Sequence, residues 1–424
     1  MAINPAPAGW PRRYTLVLLC FAASFICYID RVNLSVAILP MQDEFGWSDT
    51  TKGLVMSSFF VGYLLLQVAG GWLAGRYGGR RVLGLAVIWW SAFTMLTPAG
   101  AFASLGILFA VRAALGLGEA AAYPATVSLY GRWVPPAERT RAMTIMLSGV
   151  PAGTLFGLMT TGWIIDHLGW PAVFYAFGVV GFAWAIVWFA MVSDDPSRDP
   201  RVAPAERALI AAQCLPPGPA PQVPWRRLLS SPAVLALIFN HFCSNWTLYI
   251  MLAWLPSYFR DAHHVSVASA GLRSALPWLS MFVMSNAAGW MADRAIGAGV
   301  SATLVRKIMQ SVGLLGAAAC VLGARQIGSV DEATAIMCGT MAFLAFTWAG
   351  FAPNHMEIAP RYADVLFGMS NTAGTIPGIV AVAVTGWLVD TTGTYAAAFV
   401  TIAVVNIAGT AVWLAFGTSK RVID

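Results

Sequence analysis

GWLAGRYGGRR at Gly71–Arg81 returns as GWMADR at Gly289–Arg294, and GWIIDHLGW at Gly162–Trp170 returns as GWLVDTTGT at Gly386–Thr394. The offsets are 218 and 224 residues. Two unrelated motifs recurring at nearly one offset predict an internal duplication. Each motif lies among apolar stretches long enough to cross a bilayer, whose hydrocarbon core takes about 20 helical residues. The predicted spans are 14–40, 52–75, 82–101, 104–132, 140–165, 171–192, 233–259, 267–292, 303–325, 333–359, 364–389 and 395–416. The expected fold is therefore an all-α membrane protein with twelve transmembrane helices in two six-helix, pseudo-symmetric halves. An even number of helices per half keeps both copies of each motif in one orientation, which is a parallel repeat about an axis along the membrane normal. The expected division is a bundle over 1–192, a cytoplasmic linker over 193–231 and a second bundle over 232–424. The linker is polar and Pro-rich from Leu215 to Pro224.

Composition agrees. Of 424 residues, 58% are hydrophobic and 10% charged, with a mean hydropathy of +0.69. A soluble domain runs near one quarter charged, so a soluble enzyme, a disordered regulator and a nucleic-acid binder are excluded. The net charge of +6 has another origin. Most Lys and Arg fall in loops expected on one side, including Arg76, Arg80 and Arg81, then Arg132, Arg139 and Arg141, then Arg294, Arg306 and Lys307. Asp43, Glu44, Asp49, Asp331 and Glu332 fall on the other. This positive-inside bias places both termini in the cytoplasm and the protein in the cell (inner) membrane as a multi-pass species. Arg12 and Arg13 precede an apolar run reaching Pro40, too long for a cleaved signal. The six Cys show no metal spacing and read as small buried hydrophobes. No GxSxG, HExxH, P-loop or Rossmann glycine pattern occurs, so neither an enzyme nor a cofactor is expected.

Ionisable groups inside the hydrocarbon are costly and mark functional sites. The expected set is Asp30 and Arg31 in the first helix and Arg112 and Glu119 in the fourth. Arg112 and Glu119 are seven residues apart and share a face. A purely structural ion-pair network is the bland alternative, but buried pairs stabilise weakly. A guanidinium fork suits a carboxylate or phosphate, and a buried carboxyl beside it can load and release a proton.

The chain resembles the major facilitator superfamily over its whole length and, within it, the anion:cation symporter family. The residues that carry the likeness are Tyr28–Ser35, Gly118-Glu119 through Pro124, His241–Thr247, and Glu357–Ala363 on to Ser370–Thr372. The family includes bacterial sugar-acid/proton symporters, plant organellar anion transporters, and sialic-acid and vesicular glutamate carriers. The resemblance implies that Arg31 binds the anion, that Glu119 couples protons with Arg112 as its partner, and that Asp30 is a second protonation site. It implies that Tyr63, Tyr123 and Tyr249 line a central cavity, with Asn245, Ser370 and Asn371 as neutral contacts from the second half. Glutamate carriers have an Arg at Ser244, which argues here against a dianion. Arg76, Arg80, Asp293 and Arg294 match the gating signatures, with Gly75 standing where the first copy's Asp belongs. His355 and Glu357 fit a structural or gating role, His241 fits either cavity or packing, and His263-His264 reads as a solvated external pair. The expected function is proton-coupled symport of a small organic monocarboxylate such as a sugar acid by a monomer in the lipid bilayer. Sodium- or proton-coupled phosphate transport and a transport-inactive anion sensor are the alternatives.

Overall fold

The computed structural model describes residues 10–214, 223–324 and 328–423. Most of the Pro-rich run expected at Leu215–Pro224 lies outside the described residues. Among the described residues there is no strand. Eleven helices are long and apolar enough to cross a membrane, or twelve when Asp49–Gln67 and Ala69–Tyr77 count as one span. In chain order they are α1 Arg12–Phe45, α2 Asp49–Tyr77, α3 Gly79–Ala103, α4 Leu105–Trp133, α5 Pro136–Leu168, α6 Trp170–Met191, α7 Pro232–His263, α8 Val267–Gly297, α9 Ala302–Gly323, α10 Val330–Ile358, α11 Ala363–Thr392 and α12 Ala396–Phe416.

The α4 and α10 spans, predicted as continuous, are broken. The α4 span divides into Leu105–Ala120 and Ala122–Trp133, and the break follows Glu119 directly. Pro124 has no N–H for the Ala120 carbonyl four residues back, and its ring crowds that turn. The α10 span divides into Val330–Leu344, Phe346–Gly350 and Asn354–Ile358. Here Pro353 strips the Ala349 carbonyl of its helical partner. Arg306 of α9 replaces it, donating from Nη1 to that carbonyl at 2.9 Å, while its Nε and Nη2 hold Glu357 Oε1 at 3.0 and 2.7 Å. Arg306 is buried. It is therefore not the cytoplasmic-loop charge expected from sequence but the group that mends a helix break, as hydrocarbon surroundings require.

Contacts between Cα atoms divide the described chain into two compact units, which cut it differently from the six-helix halves expected from the repeat. The first unit takes in the described parts of Met1–Arg31, Val61–Thr154 and Phe174–Pro221. In it Glu206, from a helix at Pro204–Gln213 inside the expected linker, accepts from the Arg12 and Arg13 amides at 3.0 and 3.1 Å. A carboxylate there answers the unsatisfied amides and the positive end of α1. Arg13 reaches Glu206 at 3.1 Å and Glu138 at 2.8 Å. That part of the linker is thus a docked helix. Close to α4, a Cβ on Gly62 of α2 would fall on the Ala113 carbonyl, so only glycine allows this approach.

The second unit takes in Val32–Phe60, Leu155–Val173 and the described part of Gln222–Asp424. In it the adjoining ends of α1, α2 and α5 pack on second-half helices. The glycines of the second repeated motif make two of these contacts. A Cβ on Gly162 of α5 would lie 2.7 Å from Ala268 Cα of α8, and one on Gly386 of α11 would strike the Asp49 carbonyl of α2. The duplication thus puts equivalent glycines at equivalent crossings.

Arg306→Ala leaves both the Ala349 carbonyl and the Glu357 carboxylate without their donor. Breaking such a pair costs about 3 kcal/mol, so the melting midpoint of the purified protein in detergent falls by several degrees. Arg306→Lys, which cannot fork, recovers only part of it. A midpoint equal to wild type in Arg306→Ala would show that the break needs no such mending.

Candidate functional site

The four intramembrane charges predicted from sequence all lie in the first unit; Asp30, Arg112 and Glu119 are buried, and Arg31 is partly buried. Arg31 Nη2 meets Glu119 Oε2 at 2.8 Å, and Nε meets the same oxygen at 3.3 Å. The Cys27 thiol, one turn back on α1, donates to that oxygen at 3.1 Å. All three donors use Oε2, and Oε1 is buried with no hydrogen-bond partner among the described residues. The rings of Tyr28 and Tyr63 sit 4.7 and 5.0 Å from the guanidinium carbon, an arrangement that steadies a cation without neutralising it. Tyr63 thereby packs against the Arg31 guanidinium. Cys27 was read as a small hydrophobe and is instead a donor to the central carboxylate.

Asp30 points elsewhere. It is 0% exposed, and neither oxygen has a hydrogen-bond partner among the described residues. Trp90 and Thr94 of α3 point polar groups toward it, yet among the described residues their Nε1 and Oγ1 complete no hydrogen bond. Arg112, 1% exposed, acts electrostatically on both Asp30 and Glu119. The short contact to Glu119 comes from Arg31. Two cations and two carboxyl groups are thus enclosed together, and one proton or one further anion changes their balance. Tyr123 lies partly buried just past the α4 break.

The loop signature lies at one end of the first unit. Nothing stands within 4 Å of a Cβ placed on Gly75. The carboxylate that the signature lacks arrives from the end of α6: Asp194 Oδ1 accepts from the Arg80 amide at 2.8 Å, beside Gly78, whose φ is 86°. Arg80 also donates to the Phe189 carbonyl at 2.7 Å. Arg76 is exposed and lies over Trp72 and Tyr77. In the second unit, Asp293 and Arg294 are likewise exposed, with Arg294 over Trp290.

The second unit holds the remaining expected contacts, none of them charged. Asn245 donates to the Gly374 carbonyl at 2.8 Å, Tyr249 packs on Phe60 with centroids 4.6 Å apart, and the Asn371 carbonyl accepts from Thr375. Ser370 is fully buried between His241 and His355. Ser244 belongs to a neutral cluster, accepting from Gln310, which also donates to Asn240. Among the described residues the hydrogen bonds of this cluster join neutral groups.

A second charged cluster, missed in the sequence, closes the end of this unit where α1 stops and α2 begins. Lys52 is 0% exposed. Its Nζ meets Asp49 at 2.7 Å, Gln42 at 2.9 Å and Asp261 at 3.4 Å, and lies 4.9 Å from the Trp254 ring centroid. Arg260 joins Asp261 and Asp43, each at 2.9 Å. Tyr395 donates to Asp261 at 2.8 Å, and Thr50 to Asp390 at 2.7 Å. A cavity of about 450 Å³ opens beside it, lined among others by Gln42, Asp49, Arg260, Asp261 and His263. His263 is bonded to Tyr258 at 3.2 Å and so is more than a solvated loop residue. The only sign in the sequence was Lys52 itself, one cation among the acids expected on that side.

The sequence model of the Major Facilitator Superfamily matches residues 20–382. The chain is 43% identical over 98% of its length to the Arabidopsis thaliana "Sodium-dependent phosphate transport protein 1, chloroplastic", covering 81% of that protein. It is 41% identical over 98% of its length to the "Ascorbate transporter, chloroplastic" of the same plant, covering 76%. Among solved structures, an inward-facing, occupied bacterial homologue of the human lysosomal transporter Spinster aligns with a TM-score of 0.74 at 19% identity. The alignment covers 96% of this chain and 97% of that one.

Lys52→Met removes the cation that joins Asp49 and Asp261. Amides of Gln42–Lys52 and Tyr258–His263 then exchange hydrogen faster than in wild type, while those around Glu119 do not change. Unaltered exchange in both segments would mean that the cluster does not hold this end shut.

Proposed function

Because the chain belongs to the Major Facilitator Superfamily, and within it to the family of these plant anion transporters, we propose that it carries a small organic anion together with a proton by alternating access. It is a multi-pass membrane transporter and not an enzyme. The observation that carries the finer reading is the one-oxygen pairing of Arg31 with Glu119 beside an Asp30 that has no hydrogen-bond partner among the described residues. A buried carboxylate without partners is costly as an anion and cheap as an acid, so Asp30 is assigned as a proton carrier. Protonation of Glu119, whose Oε1 accepts no hydrogen bond among the described residues, weakens its hold on Arg31. The guanidinium fork is then open to the substrate carboxylate. A proton taken up on Glu119 with a monoanion leaves the buried charge balance unchanged, and this links the two ligands; a further proton rides on Asp30. Loss of the proton restores the internal pair and expels the anion.

The closed end of the second unit supports the alternating part of the reading. First-half and second-half helices meet there through glycines and the Lys52–Asp261 cluster, contacts that can break and reform as a set. We further propose that the two six-helix halves of the repeat are the moving parts and that a single copy suffices. We also propose, from the positive-inside bias, that both termini face the cytoplasm, and that the membrane is the cell inner membrane.

Phosphate with sodium is the second reading, favoured by the relative named as a sodium-dependent phosphate transport protein. The neutral cluster around Ser244 weighs against it, since a multiply charged anion calls for further cations. Proton movement into proteoliposomes on addition of hexonates, hexuronates, dicarboxylates or phosphate decides between them. Inward proton flux with one monocarboxylate is expected. Arg31→Ala abolishes it and weakens binding at least about 100-fold, or about 2.7 kcal/mol. Glu119→Gln keeps anion-for-anion exchange and loses uphill accumulation, and Asp30→Asn lowers the proton count. A flux that follows sodium and phosphate alone would replace this reading with the second. Binding without any flux would make the protein an anion sensor.

A further inference from the structure

The second half holds two buried histidines that the mechanism above does not use. Nδ1 of His355 lies 2.8 Å from the Ala352 carbonyl. A carbonyl only accepts, so Nδ1 carries the hydrogen and Nε2 of the neutral ring is a lone pair. That Nε2 is 2.7 Å from Ser370 Oγ, so the hydroxyl hydrogen points to it rather than to the Phe367 carbonyl at 3.1 Å. Ser370 Oγ then accepts from Nδ1 of His241 at 3.1 Å. The hydrogen-bond network assigns both tautomers. Nε2 of His241 is left as the open lone pair at the head of the chain. It lies against Gly374 and Asn245, where a Cβ on Gly374 would come within 3.0 Å of it. The ring keeps 7% exposure, against 3% for His355. Phe351 and Phe367 pack on both rings.

We propose that His241, Ser370 and His355 form one proton-binding unit in which two imidazoles share a single extra proton through the serine hydroxyl. A proton arriving on His241 Nε2 makes that ring an imidazolium. Its Nδ1–H then passes to Ser370 Oγ as the hydroxyl hydrogen passes to His355 Nε2. His241 is left neutral with its hydrogen on Nε2, and the charge sits on His355, whose Nδ1–H still meets Ala352. No hydrogen bond is lost and no other atom is needed. The charge moves between rings whose centroids are 6.4 Å apart.

The surroundings set the unit's capacity at one proton. His355 acts electrostatically on His241, and the Ala352 carbonyl acts on His355. On α9 and α10, Arg306 and Glu357 are bonded to each other. Arg361 and Asp364, next to and at the start of α11, are exposed, and α12 has no ionisable residue over Ala396–Phe416. Among the described residues no carboxylate is bonded to either ring, so a second proton would meet the charge of the first. The positive charge gained would be a switchable cation in a half whose expected substrate contacts are neutral. That use in transport rests on the proton-coupled reading above, whereas the shared proton does not.

The chain has five His, so ring nitrogen signals of ¹⁵N-histidine-labelled full-length protein in nanodiscs can be assigned with His241→Gln and His355→Gln. Between pH 8 and 5 both rings should titrate partially with one common midpoint. Ser370→Ala separates it into two, and Ser370→Thr, which keeps the hydroxyl, restores one. Rings that stay neutral throughout, or that titrate independently in wild type, overturn the proposal, and the wild-type titration decides even if Ser370→Ala does not fold. Anion-triggered proton flux with independent rings would leave the transport reading standing and remove this unit. A common midpoint without flux would do the reverse.

Discussion

A guanidinium held in hydrocarbon must be answered by negative charge, and Arg31 is answered by a single oxygen of Glu119. The rest of the first unit is arranged around that bond. Cys27 adds its thiol to the same oxygen, Tyr28 and Tyr63 flank the cation, and α4 breaks just beyond the carboxylate. An ion pair built for rigidity would use both oxygens and leave no acid without a hydrogen bond. This one leaves Oε1 of Glu119 and both oxygens of Asp30 without such partners. Such a cluster is stable only while its charge balance is kept, and that makes it responsive to a proton or an anion.

The same low dielectric governs the backbone. Each proline that interrupts a span strips a carbonyl of its partner, and the chain supplies a donor where it must. Arg306 serves the carbonyl orphaned by Pro353. At the helix ends, Glu206 answers the first amides of α1, and Asp194 answers the Arg80 amide where Gly75 replaces the expected acid. These polar groups come from 43 to 194 residues away in sequence, so each repair also ties distant segments together.

The fold was legible because a membrane-spanning helix must be continuously apolar and because the duplication is written in its motifs. The glycines of Gly162–Trp170 and Gly386–Thr394 recur because two helix crossings each exclude a Cβ. In the candidate site, Asp30, Arg31, Arg112 and Glu119 stood out because ionisable groups are rare in the spans. Their pairing did not. The resemblance pairs Arg112 with Glu119, on which Arg112 acts electrostatically, and Arg31 adds a contact of 2.8 Å, since which guanidinium reaches a carboxylate oxygen depends on side-chain direction rather than on spacing. Cys27 and the His241–Ser370–His355 chain were unreadable for a like reason: a thiol or an imidazole in an apolar run looks the same whether it packs or donates.

The amino-acid sequence alone determined that this is a twelve-span membrane protein with a duplicated architecture, and which four charges the hydrocarbon must tolerate. Hydropathy and repetition are properties of the chain read in order, so no partner is needed to see them. The tertiary structure decided which oxygen accepts from which donor, where helices break and what mends them, and that Lys52 is enclosed between acids of α2 and α7 rather than solvated. Each of these depends on groups far apart in sequence meeting within about 3 Å, the range over which a hydrogen bond forms.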